Sequence, residues 1–302
     1  MQEVGYRPNH QAQALARGRS HTIGLIVSEL SGGNPFFSEI ILYFERAAVE
    51  QGYEVLISFA ESETNPDHIS TCAARMQERQ VEAIAVLTFG MEHCLQKSSI
   101  DVPMIYAGAD SDLPGVRNIR INYLAGVRDA VRHLVDFGHR RIGYLSGRLT
   151  WSSMRIRYEA LRKAMKGAGL SLDKELVVEG AHTWEGGALA VSDLLNLPKP
   201  PTAILCCNDV AAIGALKTLS AKGLQVGRDI ALIGFDDLTI CRFTQPALTT
   251  IRFSPGEIAK LAFQALLDEI RGESVTQYEY TTRFVLREST CAPRPWPPAN
   301  GG

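Results

Sequence analysis

The chain has 302 residues, of which 45% are hydrophobic and 21% are charged, and its formal net charge is −2 at pH 7. This composition is ordinary for a soluble globular protein, and it excludes a surface that is basic throughout, as a general nucleic-acid binder would need. No apolar run reaches the roughly 18 residues that a membrane span requires. No signal-peptide pattern opens the sequence. The length predicts two domains or one large α/β body.

The cysteine pattern predicts reduced thiols and a cytoplasmic location, without membrane association. None of the six cysteines belongs to a C-x-x-C pair; they stand at positions 72, 94, 206, 207, 241 and 291. Cys206 and Cys207 are adjacent at the end of a predicted buried strand. A redox role for this pair is the less favoured interpretation, because a buried strand end shields thiols from reaction partners.

A short helix from Asn9 to Ala16 is the first predicted element. Pro8 disfavours helical backbone at Arg7, and Asn9 can cap the new helix. Leu15 is its only large apolar side chain. The helix therefore has almost no face to bury and is too short to be stable alone in water. Because a basic joint, 17–19, and a predicted core strand follow, this stretch predicts a coupling element that becomes ordered only when something holds it.

Strands and helices alternate from Ile23 onward. Apolar strands that alternate with helices favour a parallel sheet covered on both faces. The predicted fold is therefore α/β, with two doubly wound parallel-sheet lobes. The strands are predicted at 23–28, 54–59, 83–87, 104–107, 119–122, 141–146, 176–179, 203–207, 229–234 and about 277–287. The helices are predicted at 38–51, 65–79, 123–137, 152–166, 184–196, 208–222 and 254–271.

The return of a helix at 254 after the second series predicts two lobes joined by several chain crossovers. We expect one lobe from 23–121 plus 254–280 and the other from 122–253 plus 281–292. Residues 1–22 would then be the remnant of a further domain with its connecting helix. The tail 293–302 is predicted to be loose, since its prolines exclude a helix or a central strand.

The sequence offers no catalytic motif. It lacks G-x-S-x-G and G-x-x-x-x-G-K-[ST], and Gly32-Gly33 lacks the spacing of a dinucleotide fingerprint. The seven histidines are scattered without the spacing of metal ligands. His139 is more typical of a helix-to-strand joint than of a catalytic site. An enzyme on this fold is therefore a disfavoured alternative, and no cofactor or metal is expected.

Polar and aromatic side chains at predicted strand ends favour the binding of a polar ligand. In parallel α/β sheets, ligands bind beyond the carboxyl ends of the strands. A sugar-like ligand needs groups that can each take two hydroxyls, together with aromatic faces. Arg157, Asn208 and Asp236 supply the polar groups, although Asn208 is as well explained as a helix cap. The candidate aromatic faces are Phe36, Phe37 and Trp184.

The motifs along nearly the whole chain resemble those of LacI/GalR-type transcription regulators. At the start, Gly5-Tyr-Arg-Pro-Asn9, Ala12-x-x-Leu15-Ala16 and Thr22-Ile-Gly-Leu-Ile-Val27 resemble the junction of DNA-binding head and sensor core. The other motifs follow in the family's order: Asn34-Pro-Phe-Phe37, Gly138-His-Arg-Arg-Ile-Gly143, Arg155-x-Arg157, Pro201-Thr-Ala-Ile204, Asn208-Asp209-x-x-Ala212-x-Gly214, Gly234-Phe-Asp-Asp237, Pro246-x-Leu-Thr-Thr-Ile251 and Arg287-Glu-Ser-Thr290.

The resemblance implies that the first helix is a hinge helix, which folds in the DNA minor groove as a pair across a homodimer. A leucine at the position of Leu15 would wedge between base pairs, a known minor-groove device. The family's helix-turn-helix lies upstream of Gly5, and only Met1–Val4 precede it here, so operator DNA is an expected partner only when that head is present. The implied DNA-facing residues are Tyr6, Arg7, Asn9, Ala12, Leu15 and Ala16.

The resemblance also implies a type I periplasmic binding protein-like core with a small-molecule effector, sugar-like, in the cleft between its lobes. Some departures from the family pattern reshape that site: the longer loop 31–33, the strand end 106–110 and Ala160 in place of a glycine. A periplasmic sugar-binding protein of the same fold is the main alternative. The implied effector contacts are Ser28, Phe36, Phe37, Arg157, His182, Trp184, Asn208 and Asp236.

Leu15 gives the first testable prediction, for a full-length protein that carries its DNA-binding head. Because a wedged leucine contributes to DNA binding alone, Leu15→Ala should weaken operator binding and leave the melting temperature nearly unchanged. Fluorescence anisotropy with an operator fragment measures the first quantity and calorimetry the second. An operator affinity equal to that of the wild type would show that the helix is a passive tether.

Overall fold

The structure is a computed structural model that describes residues 19–28, 34–60, 67–88, 100–107, 116–273 and 278–294. Within these ranges the chain forms two six-stranded, mostly parallel sheets with helices, so the predicted fold class is confirmed. The predicted hinge helix and the predicted DNA-facing residues, which together span 6–16, lie outside the described ranges. No helix in the described part of the chain is long and apolar enough to cross a membrane.

The described residues divide into two compact units, and the chain passes from one to the other several times. Those within 1–30, 37–120 and 256–278 form the first unit, and those within 31–36, 121–255 and 279–302 form the second. Each unit therefore combines segments that are far apart in sequence, which is what repeated crossovers produce.

The regular elements follow the alternation that the sequence predicts. The strands are β1 (Thr22–Ser28), β2 (Glu54–Ala60), β3 (Ile84–Leu87), β4 (Met104–Ala107), β5 (Val116–Asn122), β6 (Ile142–Leu145), β7 (Val177–Val178), β8 (Ala203–Cys206), β9 (Ala231–Asp236), β10 (Thr249–Arg252), β11 (Tyr278–Thr281) and β12 (Arg283–Val285). The helices are α1 (Pro35–Glu50), α2 (His68–Glu78), α3 (Tyr123–Asp136), α4 (Ser152–Gly167), α5 (Trp184–Leu195), α6 (Asp209–Ala221) and α7 (Pro255–Arg271).

The first sheet has the strand order β11-β5-β4-β3-β1-β2. β1 lies between β2 and β3 and is parallel to both, with Gly24 opposite Leu56 on one side and Ile84 on the other. Ile23, like the apolar residues of β3, is fully buried. Strands that are buried on both faces need continuous apolar runs, which explains the sequence of this sheet.

The second sheet has the order β12-β10-β9-β8-β6-β7. The pairs from β7 to β10 are parallel, and only β12 at the edge is antiparallel to its neighbour β10. The carboxyl ends of β6, β8, β9 and β10 therefore meet at one edge of the sheet. This edge brings together segments that are up to about a hundred residues apart in sequence.

The sequence prediction differs from the structure at two places in the strands. β10 was not predicted, because its four residues follow Pro246 too closely to show a strand pattern. The single strand predicted at 277–287 is two strands that separate at Thr282, whose hydroxyl donates to the Asn122 carbonyl (2.9 Å). The second helix spans His68–Glu78 and its N-cap, Asp67, makes no side-chain capping bond. The predicted start at residue 65 lies outside the described residues.

The segment after β12 is fixed to the second sheet by side-chain hydrogen bonds. The hydroxyl of Ser289 donates to the Leu232 carbonyl (2.6 Å) and accepts from the Thr249 N–H (2.8 Å). Buried His139 bonds through Nδ1 to the Thr202 hydroxyl (2.8 Å) and through Nε2 to the Cys291 carbonyl (2.6 Å). The joint predicted at this histidine is therefore an anchor for the end of the fold.

His139 predicts a loss of stability in mild acid. Its burial lowers the pKa of the imidazole, an effect that the bond to the Cys291 carbonyl partly offsets. The folded protein therefore holds neutral His139 at pH values where the unfolded chain, with a pKa of about 6.5, takes up a proton. The contribution of neutral His139 to the free energy of unfolding is fully present above about pH 6.5, the approximate pKa of the unfolded chain. It is lost as the pH decreases below that value, by at most about 1.4 kcal/mol per pH unit.

The measurement is the melting temperature of the wild type and of His139→Gln at pH 7.5 and at pH 5.5. Glutamine can donate to the Cys291 carbonyl but does not titrate, so the variant should lose less stability between the two pH values. Both proteins retain His133, which controls for other histidines. An equal loss in the two proteins would contradict the prediction.

Candidate functional site

The carboxyl edge of the second sheet carries a buried arginine, Arg157, as its central charge. Its side chain comes from α4 and is only 6% exposed. Its Nη1 donates to the Cys207 carbonyl just beyond β8 (2.6 Å), and its Nη2 lies 3.5 Å from the Asp236 carboxylate at the end of β9. Its Nε has no acceptor within the described ranges. Arg157 thus joins two strand ends and has an unused donor at Nε.

The position of Arg157 follows from the amphipathic pattern of α4. The buried face of this helix includes Ala160, Leu161 and Ala164. Arg157 lies one turn before Leu161 and therefore on the same face. Burial works against its charge, yet the Asp236 carboxylate raises the pKa of Arg157, so the side chain is a cation. A buried ion pair contributes little net stability because both charges lose their hydration, which favours a role in binding.

Aromatic rings surround the Arg157 guanidinium. Its central carbon lies 4.1 Å from the ring centroid of Phe235, 5.4 Å from that of Tyr123 and 5.6 Å from that of Phe253. Phe36 stacks on Phe253 with centroids 5.4 Å apart. These rings keep water from the cation and present their negative faces to it. Within this unit they form an apolar wall beside a charged pair, an arrangement typical of sites for polar organic ligands.

Asp236 and Asp237 form a strained corner at the end of β9. Both have positive φ angles, +114° and +61°, a backbone conformation that costs roughly 1–3 kcal/mol per residue outside glycine. The Asp237 carboxylate pairs with Arg252 (2.6 Å) and with Arg287. The two adjacent carboxylates thus face different cations, and Asp236 alone is directed to Arg157.

Asp209 holds this corner from the amino end of α6. It is fully buried and accepts from the Leu238 N–H (2.8 Å) and the Thr250 hydroxyl (2.6 Å). Its burial raises the pKa of Asp209 to about 6, although these hydrogen bonds act in the opposite direction. A β-carbon at Gly234 would collide with its carboxylate, so the glycine of this motif is a steric requirement.

Asn208 is a structural organiser of the same edge. Its side-chain oxygen accepts from the Ala211 N–H (2.8 Å), which caps α6, and its amide donates to the His182 carbonyl (2.8 Å). Both ends of the amide therefore have partners, and the interpretation of Asn208 as a helix cap is confirmed. The His182 ring lies edge-on to Trp151, with centroids 4.8 Å apart.

Two glycines allow α5 to lie directly on α6. A β-carbon at Gly187 would collide with the backbone of Ala211, and one at Gly214 with the carbonyl of Trp184. This backbone contact fixes the amino ends of both helices, which carry Trp184 and Asn208. Trp184 itself is half-buried and opens α5 after its cap, Thr183.

The predicted effector contacts have different positions in the structure. Phe36 and five others belong to the second unit. Among them Arg157 pairs with Asp236, and Asn208 donates to the His182 carbonyl. Ser28 ends β1 of the first unit, opposite Ala60, and its side chain lies outside the described part. Phe37 is a half-buried residue of α1 in the first unit. The other members of the second unit are Arg157, His182, Trp184, Asn208 and Asp236.

The sequence reasoning missed several residues at this edge: Tyr123, Trp151, Phe235 and Phe253. The position of Trp151, after the loop that follows a predicted strand, could have indicated that it lies at this edge. Phe253 had none, because β10 was not predicted. Within the described ranges, no group of three or more His, Cys, Asp or Glu residues could hold a metal ion.

Comparison with known proteins agrees with this fold. Residues 131–290 match the family model of a periplasmic binding protein-like domain. The HTH-type transcriptional repressor PurR of Haemophilus influenzae (strain PittEE) is 31% identical over 301 residues, which cover 96% of this chain and 87% of the relative.

Two solved structures are also similar. The lac repressor dimer bound to operator and the anti-inducer ONPF has a TM-score of 0.83 at 26% identity, covering 95% of this chain and 100% of that one. The transcriptional regulator CelR in complex with cellobiose has a TM-score of 0.78 at 26% identity, covering 96% and 88%. The chain thus contains a domain of the periplasmic binding protein-like class. It belongs to the LacI/GalR family of transcriptional regulators.

Proposed function

We propose that this protein is a transcriptional repressor whose effector, a sugar or sugar derivative, binds at the carboxyl edge of the second sheet. The observation that carries the proposal is the buried Arg157–Asp236 pair among aromatic rings. Each of these groups can bond two neighbouring hydroxyls of a polyol, and the rings suit the apolar face of a sugar. The complex of CelR with cellobiose supports a sugar as the ligand class.

The proposed response to the effector depends on the segments at the end of β9 and β10. The backbone at Asp236 is strained. A ligand that bonds to this carboxylate therefore changes the relative stability of the backbone conformations at the corner. A ligand changes a conformational equilibrium only by its difference in affinity for the two states. We propose that the hinge helix 9–16, which lies outside the described residues, transmits this difference to operator DNA.

Arg157 and Asp236 give the test of the effector site. A charged group left without its partner costs roughly 1.5–3 kcal/mol, so Arg157→Ala or Asp236→Asn should weaken effector binding about ten- to hundredfold. Arg155→Ala is the matched control, since Arg155 is an exposed arginine on the same helix. A library of carbohydrates and their derivatives is first screened by melting temperature, and isothermal titration calorimetry then gives the affinity of each variant.

A ligand at about a hundred times its dissociation constant stabilises the folded state by about 2.7 kcal/mol, which a thermal-shift screen detects. Equal binding by the wild type and by both site variants would place the site elsewhere. If no compound in the library shifts the melting temperature, the sensor assignment itself fails.

We also propose that the protein is a homodimer, because the similar lac repressor bound to operator is a dimer. Each unit exposes apolar side chains that a second subunit would remove from water. On α1 of the first unit these are Leu42 and Val49, which are seven residues apart and therefore share a helix face. On the second unit Phe243 is 79% exposed, close in sequence to exposed Ile240.

Phe243 gives the test of the dimer. Phe243→Asp places a charge on a surface that would be buried between subunits, so the dimer dissociation constant should rise at least about tenfold, or 1.4 kcal/mol. Leu286→Asp is the control, since Leu286 is also exposed but follows the edge strand β12. Sedimentation velocity over a concentration series measures both constants. If the two substitutions have the same effect, the dimer surface does not include Phe243.

A further inference from the structure

The amino end of α4 lacks the side-chain cap that its neighbours have. The three helices α3, α5 and α6 are capped by Asn122, Thr183 and Asn208, each of which accepts an N–H bond from the first turn. The N-cap of α4 is Trp151, which makes no such bond, and an indole N–H cannot accept one. The N–H groups of 152–154 have no hydrogen-bond acceptor within the described ranges. A helix of this length therefore presents free donors at its positive end.

Two buried hydroxyl groups lie at the same helix end. Ser153 is 0% exposed and Ser152 is 5% exposed, and neither Oγ has a hydrogen-bond partner in the described part of the chain. Burying a hydroxyl without a partner is unfavourable. Hence the two serines point to a ligand that completes their hydrogen bonds.

The helix geometry directs Ser153 to the carboxyl edge of the sheet. Ser153 is four residues before Arg157 and so lies on the same face, one turn nearer the amino end. Side chains of a helix tilt toward its amino end. The Ser153 hydroxyl is thus directed to the uncapped end, beside the face from which Arg157 reaches Asp236.

The amino end of α4 has more hydrogen-bond donors than acceptors, and this excess indicates the chemical class of the ligand. The helix end offers backbone N–H groups and hydroxyls, and Arg157 adds its unused Nε. Of the nearby carboxylates, Asp236 already faces Arg157, and exposed Glu179 accepts from the Leu149 N–H (2.9 Å). A neutral hydroxyl brings its own proton and satisfies few donors. An oxyanion only accepts bonds and is also favoured by the helix dipole.

We infer that the effector carries an oxyanion, a phosphate ester or a carboxylate, that binds at the amino end of α4 through Ser153 and the N–H groups of 152–154. This inference rests on the proposed function, because it specifies the ligand class of the same site. The polyol part of such a ligand would occupy the Arg157–Asp236 pair. The oxyanion would lie one helical turn away.

The test compares neutral sugars with their anionic forms on the full chain. Matched sets of probes are glucose, glucose 6-phosphate and gluconate, and ribose with ribose 5-phosphate, and inorganic phosphate is measured against chloride at equal ionic strength. Melting temperature and calorimetry are the readouts. The anionic form of at least one set should bind roughly tenfold or more tightly than its neutral form. Whether the phosphate or the carboxylate member prevails identifies the source of the oxyanion.

Substitutions at Ser153 separate the oxyanion contact from folding. Ser153→Ala should reduce the affinity for the anionic probe roughly tenfold and leave the melting temperature of the free protein equal or higher, because it removes an unsatisfied hydroxyl. Ser153→Asp should abolish binding of the anionic probe through charge repulsion. Ser220→Ala, at an exposed serine in α6, should change neither quantity.

Three outcomes decide between the inference and the proposed function. Preference for the anionic probe that Ser153→Ala removes supports the inference. Neutral sugars that bind through Arg157 and are indifferent to Ser153→Ala overturn the inference and leave the proposed function intact. Probes that bind equally to the wild type and to Arg157→Ala overturn both.

Discussion

The second unit depends on a pair of opposite charges buried at a sheet edge. Arg157 and Asp236 are both removed from water, and their attraction offsets only part of the lost hydration. The Cys207 carbonyl and the ring of Phe235 offset the remaining loss of hydration through their contacts with Arg157. Because neither charge can be removed without leaving the other uncompensated, α4 and β9 are bound to one relative position. That rigidity is what a ligand that contacts both groups requires.

The surroundings of the pair show how the chain maintains an unfavourable backbone. The corner at Asp236 and Asp237 persists because each neighbouring element contributes a bond to it. Arg252 and Arg287 hold Asp237, and Asp209 holds the following N–H group. Local strain of this kind is retained where the surrounding structure fixes it, and it is concentrated at functional sites. Asp209 is thus a support of this corner.

Much of this architecture could be predicted from the sequence, because apolar strands alternate with capped amphipathic helices. The strand ends located Arg157, Asn208 and Asp236 near one edge, since parallel strands place their carboxyl ends together. Phe253 and Trp151 escaped prediction because their role arises from contacts between distant segments. The same holds for the close crossing of α5 and α6, since a glycine within a helix gives no sign of the backbone that lies against it.

The order of the strands has a consequence for how the protein is made on the ribosome. The second sheet is completed by β12, and the first by β11, although most strands of the first sheet are synthesised before residue 123. The first sheet therefore has an unpaired edge at β5 when its first five strands have been synthesised. More than half of the chain must follow before β11 can pair with that edge. Contacts that span such long sequence separations form slowly, and uncovered strand edges are prone to wrong pairings. Nascent chains of this protein should therefore depend on chaperones until translation is nearly finished.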